Sequence, residues 1–178
     1  MIVTISGRAG TGKSVVGKAL AKMLGYKFYS AGDVRRKYAR SIGISLAELN
    51  KRAEKDSSSD KMVDEFMAEM AELEDDFVVD GRMAFYFISK SIKIFLEADE
   101  KTRAKRLIGR GKSEENPKDV KEALRLVLER DASDVKRYKK LYNVNPYDEK
   151  HYDVIFDTSV MKIEESVEQI YNFVKNRI

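Results

Sequence analysis

The sequence predicts an α/β fold in which a five-stranded, mostly parallel sheet is flanked by helices. Three observations predict it. Short β-branched runs alternate with stretches of helical periodicity. A glycine-rich turn joins the first run to the first helical stretch. Gly7, Ser30, Asp80 and Asp157 fall at the carboxyl ends of the runs, which is where ligands bind in sheets of this kind.

Residues 2–6 read as a central strand. Val15, Val16, Ala19, Leu20, Met23 and Leu24 then recur at helical spacing, and Gly25 stops the helix in the usual left-handed cap. Residues 27–29 form a short second strand. Ser30-Ala31-Gly32-Asp33 is a turn opening a helix to about residue 41, which Gly43 breaks. Ser45 with Glu48 predicts a capping box and a helix over 46–55. Ser57-Ser58-Ser59 reads as a loop, and a helix follows over 60–74. Its Met62, Met67 and Met70, with Val63 and Phe66, are expected to serve core or hinge packing. Residues 77–80 form a strand ending in Asp80, and 92–96 another. Asp99 caps a helix running toward Gly109, residues 110–117 form a loop, and Pro117 precedes a long helix to about 142. A last strand over 153–157 and an amphipathic helix over 163–174 complete the pattern.

The bulk numbers exclude several chemistries. There is no cysteine, so disulfides, thiol catalysis and cysteine-ligated zinc are out. The single histidine, His151, rules out a multi-histidine metal centre and is expected to pack or face solvent. No run of about 18 apolar residues is present, and no secretory signal is recognised, so the expected compartment is the cytoplasm, without membrane attachment. With 34 basic and 30 acidic residues the net charge is only +4. That argues against nucleic acid as the partner and suits a basic cleft for small anions.

Gly7, Gly12, Lys13 and Ser14 match G-x-x-x-x-G-K-[ST], a phosphate-binding loop set between a strand and a helix. Its glycines let the backbone wrap an anion, and the helix start adds unpaired N–H groups. Gly7, Arg8, Ala9, Gly10, Thr11, Gly12, Lys13, Ser14 and Val15 are therefore the expected ATP contacts. Lys13 reaches the β- and γ-phosphates, and the Ser14 hydroxyl is a Mg²⁺ ligand. Asp80, at a strand terminus, is expected to help hold that ion. The arginines suggest a second anionic substrate. Arg36 follows the second strand, Arg82 follows Asp80-Gly81, Arg106 and Arg110 are four apart, and Arg130 and Arg137 bracket Asp134. Guanidinium groups stay charged and grip phosphate in a fork.

In this setting the chain resembles the P-loop nucleoside monophosphate kinases, most closely the short archaeal type of cytidylate kinase. The motifs that carry the resemblance are Ser30-Ala31-Gly32-Asp33-Val34-Arg35-Arg36, Asp80-Gly81-Arg82, Arg106-Leu107-Ile108-Gly109-Arg110, the Arg-Asp-x-x-Asp-x-x-Arg pattern over 130–137, and Asp157-Thr158-Ser159. The resemblance implies a three-layer P-loop NTPase fold in one domain. Its core would span about 1–30, 76–105 and 118–178, with a helical monophosphate-binding region over 31–75 and a short lid over 106–117. It implies transfer of the γ-phosphoryl group of ATP to CMP or dCMP, with Mg²⁺. It places Arg36, Arg82 and Arg130 on the acceptor phosphate with Ser30, Asp134 on the ribose, and Arg137 near the cytosine. It also places Arg106 at the ATP base and Arg110, with Lys13 and Arg82, at the transferred group. Bacterial cytidylate kinases carry a base-reading acid where this chain has Met83. UMP or AMP as acceptor stays open, as does an RNA- or ribosome-associated P-loop ATPase. A monomer is expected.

Overall fold

The computed structural model describes residues 1–108 and 117–177. Five strands, β1 (Ile2–Gly7), β2 (Lys27–Ser30), β3 (Phe77–Asp80), β4 (Ser91–Glu97) and β5 (Val154–Asp157), form one sheet in the order β2-β3-β1-β4-β5. Every pairing is parallel. The innermost strands β1 and β3 are buried along their whole length, which is why they read as continuous apolar runs rather than alternating ones. The chain leaves β1 toward β2 on one side and later places β4 on the other. The crevice at the carboxyl end of β1 is thus the topological switch point of the sheet. Register aligns the functional ends there. Asp80 pairs with Ile5 on one side and with Ser30 on the other.

Alternate strand residues feed two cores. Val3, Ile5, Val78, Ile94 and Leu96 pack with Val16 and Leu20 of α1 (Lys13–Leu24) and with Val167, Ile170 and Val174 of α8 (Ile163–Lys175). On the opposite face Phe77 and Val79 meet Val63 and Met67 of α4 (Ser58–Leu73) and Ala84 of the short α5 (Ala84–Phe87). The methionines of α4 do belong to this core. His151 stacks on Phe85 with ring centroids 5.0 Å apart. Helices α2 (Ala31–Ser41), α3 (Leu46–Ala53) and α4 fill the 31–73 segment. Helices α6 (Glu100–Ile108) and α7 (Val120–Tyr142) pack together over Ala9 of the loop. No helix among the described residues is long and apolar enough to cross a membrane.

Two local expectations are corrected. Ser58 and Ser59 are not loop but the first turn of α4. Asp56 accepts from the Ser58 N–H at 2.9 Å, and Ser59 is buried. The Ser45–Glu48 capping box forms only half. Ser45 accepts from the Glu48 N–H at 3.1 Å, while the Glu48 carboxylate turns to Arg52 at 3.0 Å. By contrast Gly25 does take the left-handed cap of α1, and Asp99 accepts from the Thr102 N–H at the start of α6.

Candidate active site

The loop between β1 and α1 has a backbone that its glycines require. Gly7 has φ 143°, and a Cβ there would sit 2.2 Å from the Leu96 carbonyl oxygen. Gly10 has φ 86°, and a Cβ would press on the backbone of Arg103 at 2.8 Å. The loop therefore packs directly on α6 as well as on β4. The Arg8 carbonyl accepts from the Lys13 ammonium at 2.5 Å and from the Thr11 hydroxyl at 3.0 Å. No side chain caps α1, and no acid lies in its first turn. Its positive end is left to meet an anion.

Across the crevice Ser14 donates its hydroxyl hydrogen to the Asp80 carboxylate. Among the described residues, no group of three or more acidic or histidine side chains gathers for an all-protein metal cage. One hydroxyl and one carboxylate beside a phosphate loop are the donor set that suits Mg²⁺, which keeps several waters and binds through substrate phosphates. The residues present fit that ion.

From this point a cleft runs between α2–α4 and α7. Ala9, Gly10, Lys13 and Ser14 line one end. Ser30, Arg36, Asp80, Arg82, Arg130, Asp134 and Arg137 line the rest, together with Arg35, Asn50 and Tyr138. Most of the expected site residues thus share one cavity. Arg36 reaches back to Asp33 at 2.5 Å and stays one-third exposed. Asp134 is the hub. It accepts from Arg82 Nε at 2.9 Å, from the Tyr147 hydroxyl at 2.7 Å and from Arg137. Burial alone would push the Asp134 carboxyl up. The Arg82 and Arg137 guanidiniums overcome burial and hold it well below the usual carboxylate range. Burial likewise opposes the charge on Arg82, and Asp134 restores it. The carboxylate expected at the ribose also serves as the counter-ion of Arg82 and Arg137.

The other expected contacts stand apart from the cleft. Arg8 lies over the Tyr147 ring at 4.3 Å and 3.5 Å from Asp131. Val15 is half exposed on α1, and Thr11 is buried inside the loop. Arg106 donates to the Thr158 carbonyl at 2.6 Å and hydroxyl at 3.0 Å. The same hydroxyl lies 3.0 Å from the Thr11 carbonyl. Arg106 and Thr158 therefore stitch α6, the loop and the end of β5 together. Arg110 and the rest of 109–116, on which the expected loop and most of the expected lid fall, lie outside the described residues.

Three groups were missed by sequence reasoning. Arg103, 1% exposed, pairs with Asp131 at 2.7 Å and anchors α6 to α7 beneath the loop. Arg35, beside the expected Arg36, donates to Asn50 at 3.0 Å and to Asp60 at 2.6 Å. Asp60, on α4, also accepts from Arg137. The doubled arginine at 35–36 and the acid directly after Arg130 are the signals that could have flagged Arg35 and Asp131.

With this geometry in hand, resemblance to known proteins is informative. The chain matches the model of the cytidylate kinase-like family over residues 2–160. It is 36% identical to a cytidylate kinase of Methanococcoides burtonii over 159 residues, 89% of this chain and 88% of that one. It is 33% identical to a cytidylate kinase of Methanosphaera stadtmanae over 177 residues, 99% of each chain. It is 34% identical to one of Methanocaldococcus jannaschii over 183 residues, covering 100% of this chain and 97% of that one. Among solved structures, a shikimate kinase from Bacteroides thetaiotaomicron superposes with a TM-score of 0.68 at 18% identity, covering 98% of both chains. A shikimate kinase from Aquifex aeolicus gives 0.60 at 19%, covering 99% of this chain and 98% of that one. These structural likenesses establish the P-loop kinase fold.

Proposed function

Since this chain belongs to the cytidylate kinase-like family, we propose that it transfers the γ-phosphoryl group of ATP to CMP or dCMP, giving ADP and CDP or dCDP, as a cytoplasmic monomer. The observation that carries the reading is the cleft itself. A phosphate loop closes one end, and Arg36, Arg82, Arg130 and Arg137 gather along the other.

The acceptor phosphate is already ionised near neutral pH, so the reaction needs no general base. Catalysis is then alignment of the two phosphates in line and neutralisation of charge on the group in flight. Lys13 leaves the Arg8 carbonyl to contact the β- and γ-phosphates. Gly7 to Val15 wrap the donor, and Arg106 flanks its base beside Thr158. Arg36, Arg82 and Arg130 hold the acceptor, with Ser30 at the end of β2. Arg82 enters the site already oriented because Asp134 fixes its Nε. Ser14 and Asp80 would hold Mg²⁺, which when bound offsets phosphate charge. Arg110 is assigned to the transferred group. Closing of the 31–75 helices and the 106–117 lid would keep water from taking the phosphoryl group.

The test is transfer of labelled phosphate from ATP to a panel of acceptors: CMP, dCMP, UMP, AMP and shikimate. Preferred labelling of CMP or dCMP is expected. Preferred labelling of another acceptor would reassign the substrate, and RNA-stimulated hydrolysis without transfer would remove the kinase reading.

A further inference from the structure

Tyr147 stands in the connection between α7 and β5, and its neighbours turn the chain back toward the site. Asn143, at φ 56°, ends α7 in the left-handed cap. Asn145 then accepts from the Tyr147 N–H at 3.0 Å, and the Pro146 carbonyl accepts from the Tyr152 hydroxyl at 2.5 Å. Tyr147 is left only 7% exposed, with its ring 6.5 Å from that of Phe95 on β4. It stands behind the cleft rather than among the residues that line it.

The side chain makes two contacts of different kinds. Its hydroxyl donates to Oδ2 of Asp134 at 2.7 Å, and the same oxygen accepts from Arg82 Nε at 2.9 Å. The other oxygen of Asp134 takes Arg137. The hydroxyl therefore fixes the rotation of the carboxylate that aims Arg82. Burial first, and the Asp134 charge after it, push the Tyr147 hydroxyl well above the usual tyrosine range. It keeps its proton and stays a donor. The ring face carries the Arg8 guanidinium, 4.3 Å from its centroid, an attractive placement for a cation. Arg8 belongs to the phosphate loop, and its carbonyl accepts from Lys13 and Thr11. Tyr147 thus touches the donor loop on one side and the support of an acceptor arginine on the other.

We infer that Tyr147 is a positioning residue that holds the two half-sites in register: its hydroxyl aims Arg82 through Asp134, and its ring steadies the phosphate loop through Arg8. The inference rests on reading the cleft as a kinase site for two nucleotides.

Steady-state kinetics on three variants test it. Tyr147→Phe removes only the hydroxyl, and Asp134 retains both arginines, so this variant is expected to fold. Its KM for CMP should rise at least about fivefold for the lost hydrogen bond. Its KM for ATP should stay within about twofold of the parent, because the ring remains under Arg8. In an Arg82→Ala background the same change should alter kcat/KM for CMP by less than about twofold, since residues acting through one another are not additive. Arg8→Ala, at a side chain one-third exposed, should show the opposite split, raising KM for ATP at least about twofold and sparing CMP. A tyrosine that only fills space or adds stability would leave both KM values of Tyr147→Phe at those of the parent, whatever happens to Tm, and that result overturns the inference. Equal rises for CMP and ATP overturn it too, as does a Tyr147→Phe effect that persists in full without Arg82. Parental KM values for ATP in Arg8→Ala overturn the ring's part. Phosphate transfer by the unaltered enzyme with an unmoved acceptor KM in Tyr147→Phe removes this inference and spares the kinase reading. No transfer to any monophosphate removes both.

Discussion

Asp134→Ala probes the arginine cluster at its hub. The carboxylate accepts from Arg82, Tyr147 and Arg137. Arg137 keeps its pair with Asp60 in the variant. Arg82, whose side chain is 18% exposed, has no other acidic partner among the described residues. The variant therefore leaves one largely buried guanidinium without a counter-charge, a change that costs about 3–5 kcal/mol. For a chain of this size that lowers Tm by roughly 6–20 °C. Because the folded-state Asp134 carboxyl is held low, its contribution is fully present above the unfolded value of about 3.8 and is lost only as pH falls below it. The difference between parent and variant should thus stay constant from about pH 5 to pH 8. Urea titration at several pH values, read as a change in midpoint at constant slope, measures it. A loss under about 1 kcal/mol would mean that water already compensates Arg82, and the account of a built arginine cluster would fail.

Three further outcomes are expected. Lys13→Ala should lower kcat by at least about 10²-fold while changing CMP affinity little, as read by steady-state kinetics and calorimetric titration; normal turnover in this variant would contradict the mechanism. Gly10→Ala forces a side chain at φ 86° against the Arg103 backbone and should cost about 1–3 kcal/mol of stability, seen as a lower melting temperature; an unshifted Tm would show that the loop does not rest on α6. Asp64 concerns pH. Burial raises its carboxyl from 3.8 to about 7, the neighbouring Asp60 adds to the rise, and the Tyr142 hydroxyl opposes it, as do Arg35 and Arg137. A raised carboxyl makes the folded state less stable as pH climbs from about 4 to about 7, by up to roughly 4 kcal/mol. Asp64→Asn should therefore be more stable than the parent at pH 8 and equal to it near pH 4, by thermal unfolding; parallel pH profiles would exclude a titrating Asp64.

What could be read from the sequence was what is encoded locally. The phosphate loop depends on glycines within eight positions, and the central strands on short apolar runs, so both were legible. The short α5, Ala84–Phe87, carries too few residues to show a period. Ser58 and Ser59 resembled a loop by composition, but Asp56 satisfies the first turn, and burial of Ser59 and Asp60 holds it in the interior. The arginines of the cleft were legible because Arg36 and Arg82 follow strand ends and Arg130 and Arg137 bracket Asp134 on one helix. Their counter-ions were not. Arg103 and Asp131 are 28 residues apart and Arg137 and Asp60 are 77 apart. Such pairs come together only through the packing of α4, α6 and α7, and no local periodicity announces them.

The central claim is that one cleft seats two nucleotides with their phosphates facing each other, the donor on the glycine loop and the acceptor on the arginines. Calorimetric titration with an adenosine and a cytidine joined through five phosphates measures this most directly. The account predicts one equivalent bound per chain, at least about 10²-fold more tightly than ATP or CMP alone, because joining the two halves makes the second contact intramolecular. Affinity no better than that of ATP, with CMP still binding freely to the loaded protein, would contradict it.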